Sequence, residues 1–166
     1  MAITVGDKLP DATLSRMGEN GPETVQLNEL LADSKTALFA VPGAYTPTCS
    51  EKHVPSFVAN AGELAGAGID RIICVSVNDP FVMQAWGKDT GAAAAGVLML
   101  GDPEAEFTKA IGMDFSAPPA GLIDRSHRYS MYVINGIVKS LNREEAPGQC
   151  GITSGDELLS QIKAAN

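Results

Sequence analysis

The chain has 166 residues, 45% of them hydrophobic and 19% charged, a composition that suits one globular domain over residues 1–166 and not a disordered chain. Twelve Lys and Arg against twenty Asp and Glu leave a formal charge of −8, which argues against binding to nucleic-acid backbones and against a basic membrane-surface patch. No apolar run approaches the ~20 residues of a membrane span. The N-terminal segment has no basic, apolar leader, and three cysteines without a C-x-x-C pair suit a reducing compartment. The expectation is a cytoplasmic protein without nucleic-acid or membrane partners.

In chain order, residues 24–27 read as a short strand, and Asn28 as the cap of a brief helix through Leu31. Residues 36–41 (TALFAV) form an unbroken apolar run of strand length ending at Pro42-Gly43, the pattern of a strand covered on both faces. A loop over 44–48 leads into a helix that starts near Cys49. There Val54, Phe57, Val58, Ala61, Leu64 and Ala65 follow helical spacing, with a kink expected at Pro55. Residues 72–77 (IICVSV) predict a second buried strand. Asp79-Pro80 then opens a helix through Trp86, with Asp as cap and Pro at the first position. Residues 97–100 read as a third strand, and Asp102-Pro103 as the start of a helix ending near Gly112. Strands 129–134 and 137–141 flank Asn135-Gly136, a strong hairpin signal. Ser154 through Glu157 form a capping box for a last helix through Lys163. Alternating strands and helices followed by a hairpin and a helix predict an α/β chain. The simplest such architecture is a thioredoxin-like fold with a central mixed sheet flanked by helices.

The chemistry gathers at the turn from Pro42 through Thr46 to Cys49, at the carboxyl end of a buried strand, where open α/β sheets place ligand sites. Cys49 falls in the first turn of the next helix, whose free N–H groups favour an anion, and a thiolate is the nucleophilic form of cysteine. The competing reading is a small buried hydrophobe. His53 follows by four residues, so it could pair with Cys49, supply half a zinc site, or simply pack beside it. With two histidines in the chain, a zinc site would need nearly every candidate ligand. The segment Asp124-Arg125-Ser126-His127-Arg128 precedes a strand and reads either as a solvated charge cluster or as the source of a fixed cation. Cys74 lies mid-strand among aliphatics and should be buried and inert, whereas Cys150, after Ala146-Pro-Gly-Gln in a loop, should be more accessible. Residues 91–96 read as a helix end and linker, and Trp86 and the methionines as core.

Pro42-x-x-x-Thr46-x-x-Cys49, with VPGAYTPTCSEKHVPSF, CVSVNDPFVMQAW and RYSMYVINGIVKSLN around it, resembles the type II, or peroxiredoxin-five-like, peroxiredoxins. The likeness runs from Val5-Gly-Asp to the last helix. It implies a thioredoxin-like fold, a homodimer, and a thiol-dependent peroxidase reducing hydrogen peroxide and alkyl hydroperoxides in antioxidant defence. Cys49 would be the peroxidatic cysteine, cycling from thiolate to sulfenic acid. Thr46 would hydrogen-bond the sulfur and the peroxide, Pro42 would wall the pocket, and Arg128 would stabilise the thiolate and position the peroxide. Arg125 has no such counterpart. No metal or bound cofactor is implied, only a thiol reductant: glutathione with glutaredoxin, or thioredoxin.

The resolving step stays open at this level: Cys150 in cis, or an external thiol acting on a one-cysteine enzyme. The place of the resolving cysteine in animal members is Ile152 here, two residues after Cys150, while Cys74 matches a cysteine of plant members reduced by glutaredoxin or glutathione. Cys150 ranks ahead of Cys74, because a buried mid-strand thiol would need local unfolding to reach Cys49. Ser56 stands where many relatives carry glycine. The alternative function is a peroxide-sensing redox module without significant turnover. A thiol–disulfide oxidoreductase is disfavoured by the missing C-x-x-C, and a cysteine hydrolase by the lack of an oriented histidine base.

Overall fold

The computed structural model describes residues 2–146 and 148–166; Pro147, in the loop expected before Cys150, and Met1 lie outside them. In chain order the elements are β1 (Thr13–Gly18), β2 (Gly21–Gln26), α1 (Leu27–Leu31) and β3 (Lys35–Val41). A π-helical turn (Cys49–His53) follows, continuing into α2 (Val54–Gly66), β4 (Arg71–Ser76), α3 (Pro80–Asp89) and β5 (Val97–Gly101). Then come α4 (Glu106–Ala110), β6 (Asp114–Ala117), a short 3₁₀ turn (Pro118–Ala120), β7 (Leu122–Ser126), β8 (Tyr129–Ile134), β9 (Ile137–Arg143) and α5 (Gly155–Ala165).

Seven strands form one sheet in the order β2-β1-β5-β4-β3-β8-β9, and β6 pairs with β7 outside it. β3, β4 and β5 are parallel, whereas β8 joins β3, and β1 joins β5, in antiparallel sense. This is the expected mixed α/β sheet of a thioredoxin-like chain, with an antiparallel pair at each edge. Alternation along β3 divides the core. Ala37, Phe39 and Val41 face a cluster with Phe57, Leu64, Met83, Trp86, Leu158 and Ile162, while Leu38 and Ala40 face Leu27, Leu31, Phe107 and Ile111. α2, α3 and α5 therefore cover one face and α1 and α4 the other, which explains the unbroken apolar runs of the central strands.

Several local expectations shift. The strand expected over 24–27 is β2 and ends at Gln26; Leu27 already begins α1. Asn28 is not the cap, because the carboxylate of Asp11 accepts from its backbone N–H at 3.1 Å and does that work from outside the helix. α3 begins as expected, with the Asp79 side chain accepting from Val82 N–H. After Asp102-Pro103, however, the helix starts only at Glu106. Ala105 takes a left-handed φ of 56°, and the buried Asp102 carboxylate reaches forward to the N–H groups of Phe107 and Thr108. The irregularity expected at Pro55 lies one turn earlier, as the π turn, and Pro55 follows it at the start of α2. Asn135 and Gly136 adopt φ of 49° and 80°, the paired positive values of a type I′ hairpin turn. Ser154 caps α5 by accepting from Glu157 N–H at 3.2 Å; the Glu157 carboxylate accepts from Gln161 instead of completing the box.

Candidate active site

β3 delivers its last residues, Ala40 and Val41, fully buried to the sheet edge, and the chain turns there through Pro42 and Gly43, both buried. Three contacts hold this turn from outside. Ala44 N–H donates to Asn78 Oδ1 at 3.0 Å, Arg125 Nη1 donates to the Pro42 carbonyl at 3.2 Å, and Trp86 Nε1 donates to Ser50 Oγ at 3.0 Å. Tyr45 sits at its tip with a left-handed φ of 66°, a conformation that a bulky residue adopts only when its surroundings hold it there. The Thr46 hydroxyl donates to the Gly43 carbonyl at 2.8 Å. Its single proton is thereby committed, so toward any other group the hydroxyl can only accept.

The helix that follows begins as a π turn, closed by the bond from Val54 N–H to the Cys49 carbonyl. Such widened turns are frequent at functional sites. Here Cys49 and His53, the first and last residues of that turn, both meet the guanidinium of Arg128, the residue immediately before β8. Arg128 Nη2 donates to Cys49 Sγ at 3.0 Å and Nη1 to His53 Nδ1 at 2.9 Å, with all three side chains buried. Guanidinium stays charged at every accessible pH, so this fork stabilises negative charge on the sulfur.

His53 is the neutral member. Burial first, and the Arg128 cation second, push its pKa down to about 3, against a smaller opposing pull from the Thr153 carbonyl. The neutral ring has one proton. Since Nδ1 accepts from Arg128, that proton is on Nε2 and is donated to the Thr153 carbonyl at 2.9 Å. Both nitrogens are thus occupied, so His53 is neither a base on Cys49 nor half a zinc site. Among the described residues, no three His, Cys, Asp or Glu side chains converge as metal ligands.

Cys74 shares the buried cluster of Cys49, opposite Phe39 on β3 and Met99 on β5. Burial, then the proximity of Cys49, push its thiol well above the ordinary range, with Arg128 opposing. Cys150 is half-buried. Burial raises its pKa, Arg128 and a hydrogen bond with Thr153 lower it, and Glu144 and Cys49 raise it, so its sulfur lies within electrostatic reach of the centre. His127 stacks on Phe115 at 4.9 Å and meets Arg143 at 3.3 Å, away from Cys49.

Sequence reasoning did not find the contact of Arg125, which leans over Gly43 instead of standing in solvent, nor the role of Trp86 beyond the core. It also missed Glu144, buried beside the Cys150 loop. A surface cavity of about 890 Å³ between the β1–β2 hairpin, α3 and β5 shares no residue with these groups. Among the described residues no helix is long and apolar enough to cross a membrane.

A buried cysteine opening a helix after a central parallel strand, forked to an arginine from the antiparallel neighbour, defines a thioredoxin-like thiol enzyme. The family model described as Redoxin matches residues 4–159. A rice (Oryza sativa subsp. japonica) protein named chloroplastic peroxiredoxin-2E-2 is 51% identical over 164 residues, spanning 96% of this chain and 72% of its own. Among solved structures, reduced Prx3 from Vibrio vulnificus in complex with hydrogen peroxide is 43% identical, with a TM-score of 0.89 over 96% of this chain and 99% of that one. Peroxiredoxin 5 from Alvinella pompejana is 29% identical, with a TM-score of 0.85 over 98% and 99% of the two chains. The chain belongs to the Redoxin family and, within it, to the peroxiredoxins, and it is a thiol-dependent peroxidase.

Proposed function

We propose that Cys49 is the peroxidatic cysteine, acting on hydrogen peroxide and alkyl hydroperoxides as one domain over residues 1–166. The observation that carries this reading is the 3.0 Å donation from buried Arg128 to its sulfur. The Cys49 thiolate attacks one peroxide oxygen, forming the S–O bond as the O–O bond breaks. The displaced oxygen takes up a proton and leaves as water or an alcohol, and Cys49 becomes a sulfenic acid. Arg128 stays charged throughout and faces the oxygen on which charge develops, so little reorganisation is needed during reaction. Thr46, its own proton donated to Gly43, accepts a hydrogen bond from the peroxide O–H and orients the substrate. Pro42 walls the pocket and, with Gly43 held by the chain around it, keeps water from the sulfur.

Cys150 then attacks the sulfenic sulfur, forming a disulfide and releasing water, and a dithiol such as thioredoxin, or glutathione with glutaredoxin, restores both thiols. Its half-exposed position and its electrostatic reach to Cys49 support this over Cys74, which is fully buried. The cycle uses a thiol reductant and no bound metal or organic cofactor. The protein works in the cytoplasm as a homodimer. Intact mass after one equivalent of peroxide without reductant tests the scheme. A loss of two mass units mapping to Cys49–Cys150 is expected, whereas a stable gain of ~16 on Cys49 would replace Cys150 by an external thiol. Unchanged turnover in Cys49→Ser would overturn the whole assignment.

A further inference from the structure

Glu144 follows β9 directly and is only 6% exposed. One of its carboxylate oxygens, Oε1, accepts from Gly151 N–H at 2.7 Å, from Thr153 N–H at 3.1 Å and from the Thr153 hydroxyl at 3.0 Å. Its own N–H donates to the Arg128 carbonyl at 3.0 Å. The loop pinned in this way presents the Thr153 carbonyl to His53 Nε2, and His53 Nδ1 receives Arg128, whose other nitrogen donates to Cys49. The bonds close a ring that leaves Glu144 through its side chain and returns to it through the backbone of Arg128.

We propose that Glu144 is a positioning residue for the Cys49 centre, acting through the Thr153 carbonyl and His53 to aim Arg128 at the sulfur. Every intermediate link is a directional hydrogen bond between buried groups, and the Thr153 carbonyl accepts the Nε2 proton and so sets the tilt of the His53 ring. Withdraw the carboxylate oxygen, and residues 151–153 lose their shared acceptor. Thr153 then no longer fixes the tilt of the ring, and the Nδ1 that accepts from Arg128 is no longer held in place. The same clamp holds the chain next to Cys150, so the loop carrying that thiol and the fork on Cys49 are set by one side chain.

Position and charge predict opposite signs. The groups that face this centre are Arg128 from the start of β8, His53 from the π turn, Cys74 from β4, and Cys150 and Glu144 from the loop after β9. Acting through space alone, a carboxylate opposes a thiolate, so removing its charge would favour the anion at Cys49. Acting through position, its loss would disfavour that anion. Glu144→Asp keeps the charge and draws the oxygen back by one methylene. Glu144→Gln keeps the oxygen in place and removes the charge.

The test uses the full chain: labelling of Cys49 by iodoacetamide against pH, read by peptide mass, together with the rate of Cys49 oxidation by hydrogen peroxide. Glu144→Asp should raise the labelling midpoint by about one pH unit and slow oxidation roughly tenfold, while Glu144→Gln restores both toward wild type. An unmoved Asp variant, a Gln variant moved upward as far as Asp, or a downward shift in Asp overturns the proposal. If the Asp variant does not fold, Thr153→Val, which deletes only the hydroxyl donor, decides: a smaller upward shift supports the ring and no shift overturns it. The inference rests on Cys49 and Arg128 as the reacting pair. A wild-type chain not oxidised at Cys49 would refute that pair, whereas wild-type oxidation with Glu144→Asp unmoved refutes Glu144 alone.

Discussion

Arg128 donates to Cys49 through one terminal nitrogen and to His53 through the other, so its planar fork spans two acceptors in a fixed geometry that the single nitrogen of an ammonium does not reproduce. Arg128→Lys keeps the charge and loses the geometry; Arg128→Ala loses both. Pre-aimed donors at developing charge are worth about 10²–10³ in rate when removed singly. Peroxide consumption at saturating reductant should therefore fall by roughly that factor in the Ala variant, and by an intermediate, roughly tenfold, amount in the Lys variant. Stopped-flow rates of Cys49 oxidation measure this directly. A Lys variant equal to wild type would mean that charge alone suffices and that the fork is incidental. Arg125 offers the contrast at this scale. It is also a cation near the turn, but it donates to the Pro42 carbonyl and so stabilises backbone, not sulfur.

The elements bring these side chains together through close backbone approaches, one of which joins α5 to α2. Gly155, the first residue of α5, donates its N–H to Ser56 Oγ at 2.9 Å, and a Cβ built on it would lie 2.8 Å from the Ser56 carbonyl carbon. Ser56 in turn donates to the His53 carbonyl. Backbone cannot swing aside as a side-chain tip can, so Gly155→Ala should push α5 outward and cost about 1–3 kcal/mol. Urea denaturation reads the loss, and an unchanged midpoint would show that the two helices part freely. The sequence displays this architecture unevenly, for physical reasons. β3 and β4 are covered on both faces, so their apolar runs stand out. Asn135-Gly136 must adopt positive φ, and Asp79 caps a helix three residues away. By contrast the edge strand β2 and its neighbour β1 have one buried side chain between them, Leu14, and β6–β7 stands outside the main sheet. At the site, Cys49 is legible because its own neighbours make its environment. Arg125 acts on a backbone carbonyl 83 residues away, Glu144 acts on N–H groups of an irregular loop seven and nine residues on, and neither partner follows a helical or strand pattern.

At the scale of the whole molecule the buried neutral ring couples stability to pH. His53 has an ordinary pKa of 6.5 when unfolded and about 3 when folded. Above pH 6.5 both states are neutral and its contribution is complete. Below it the unfolded chain binds a proton that the native chain refuses, so stability falls with pH by about 1.4 kcal/mol per unit until the folded pKa is reached. His127, lowered mainly by burial and then by Arg143, with Asp114 opposing, adds a contribution of the same sign. The net charge of −8 works the other way, since acid protonates carboxylates and relieves self-repulsion. Two features separate these effects. Carboxylate protonation gathers below about pH 5, leaving the interval from 6.5 to 5 to the histidines. Salt screens repulsion between surface charges but not the desolvation of a buried imidazole. Urea midpoints measured at pH 7.5, 6.5, 5.5 and 5.0 in high salt should therefore still decline with acid. His127→Asn should preserve most of that decline and His53→Asn should flatten it. A wild-type profile level across this interval would mean that His53 carries a proton in the native fold, and the fork on Cys49 would then lack its neutral acceptor.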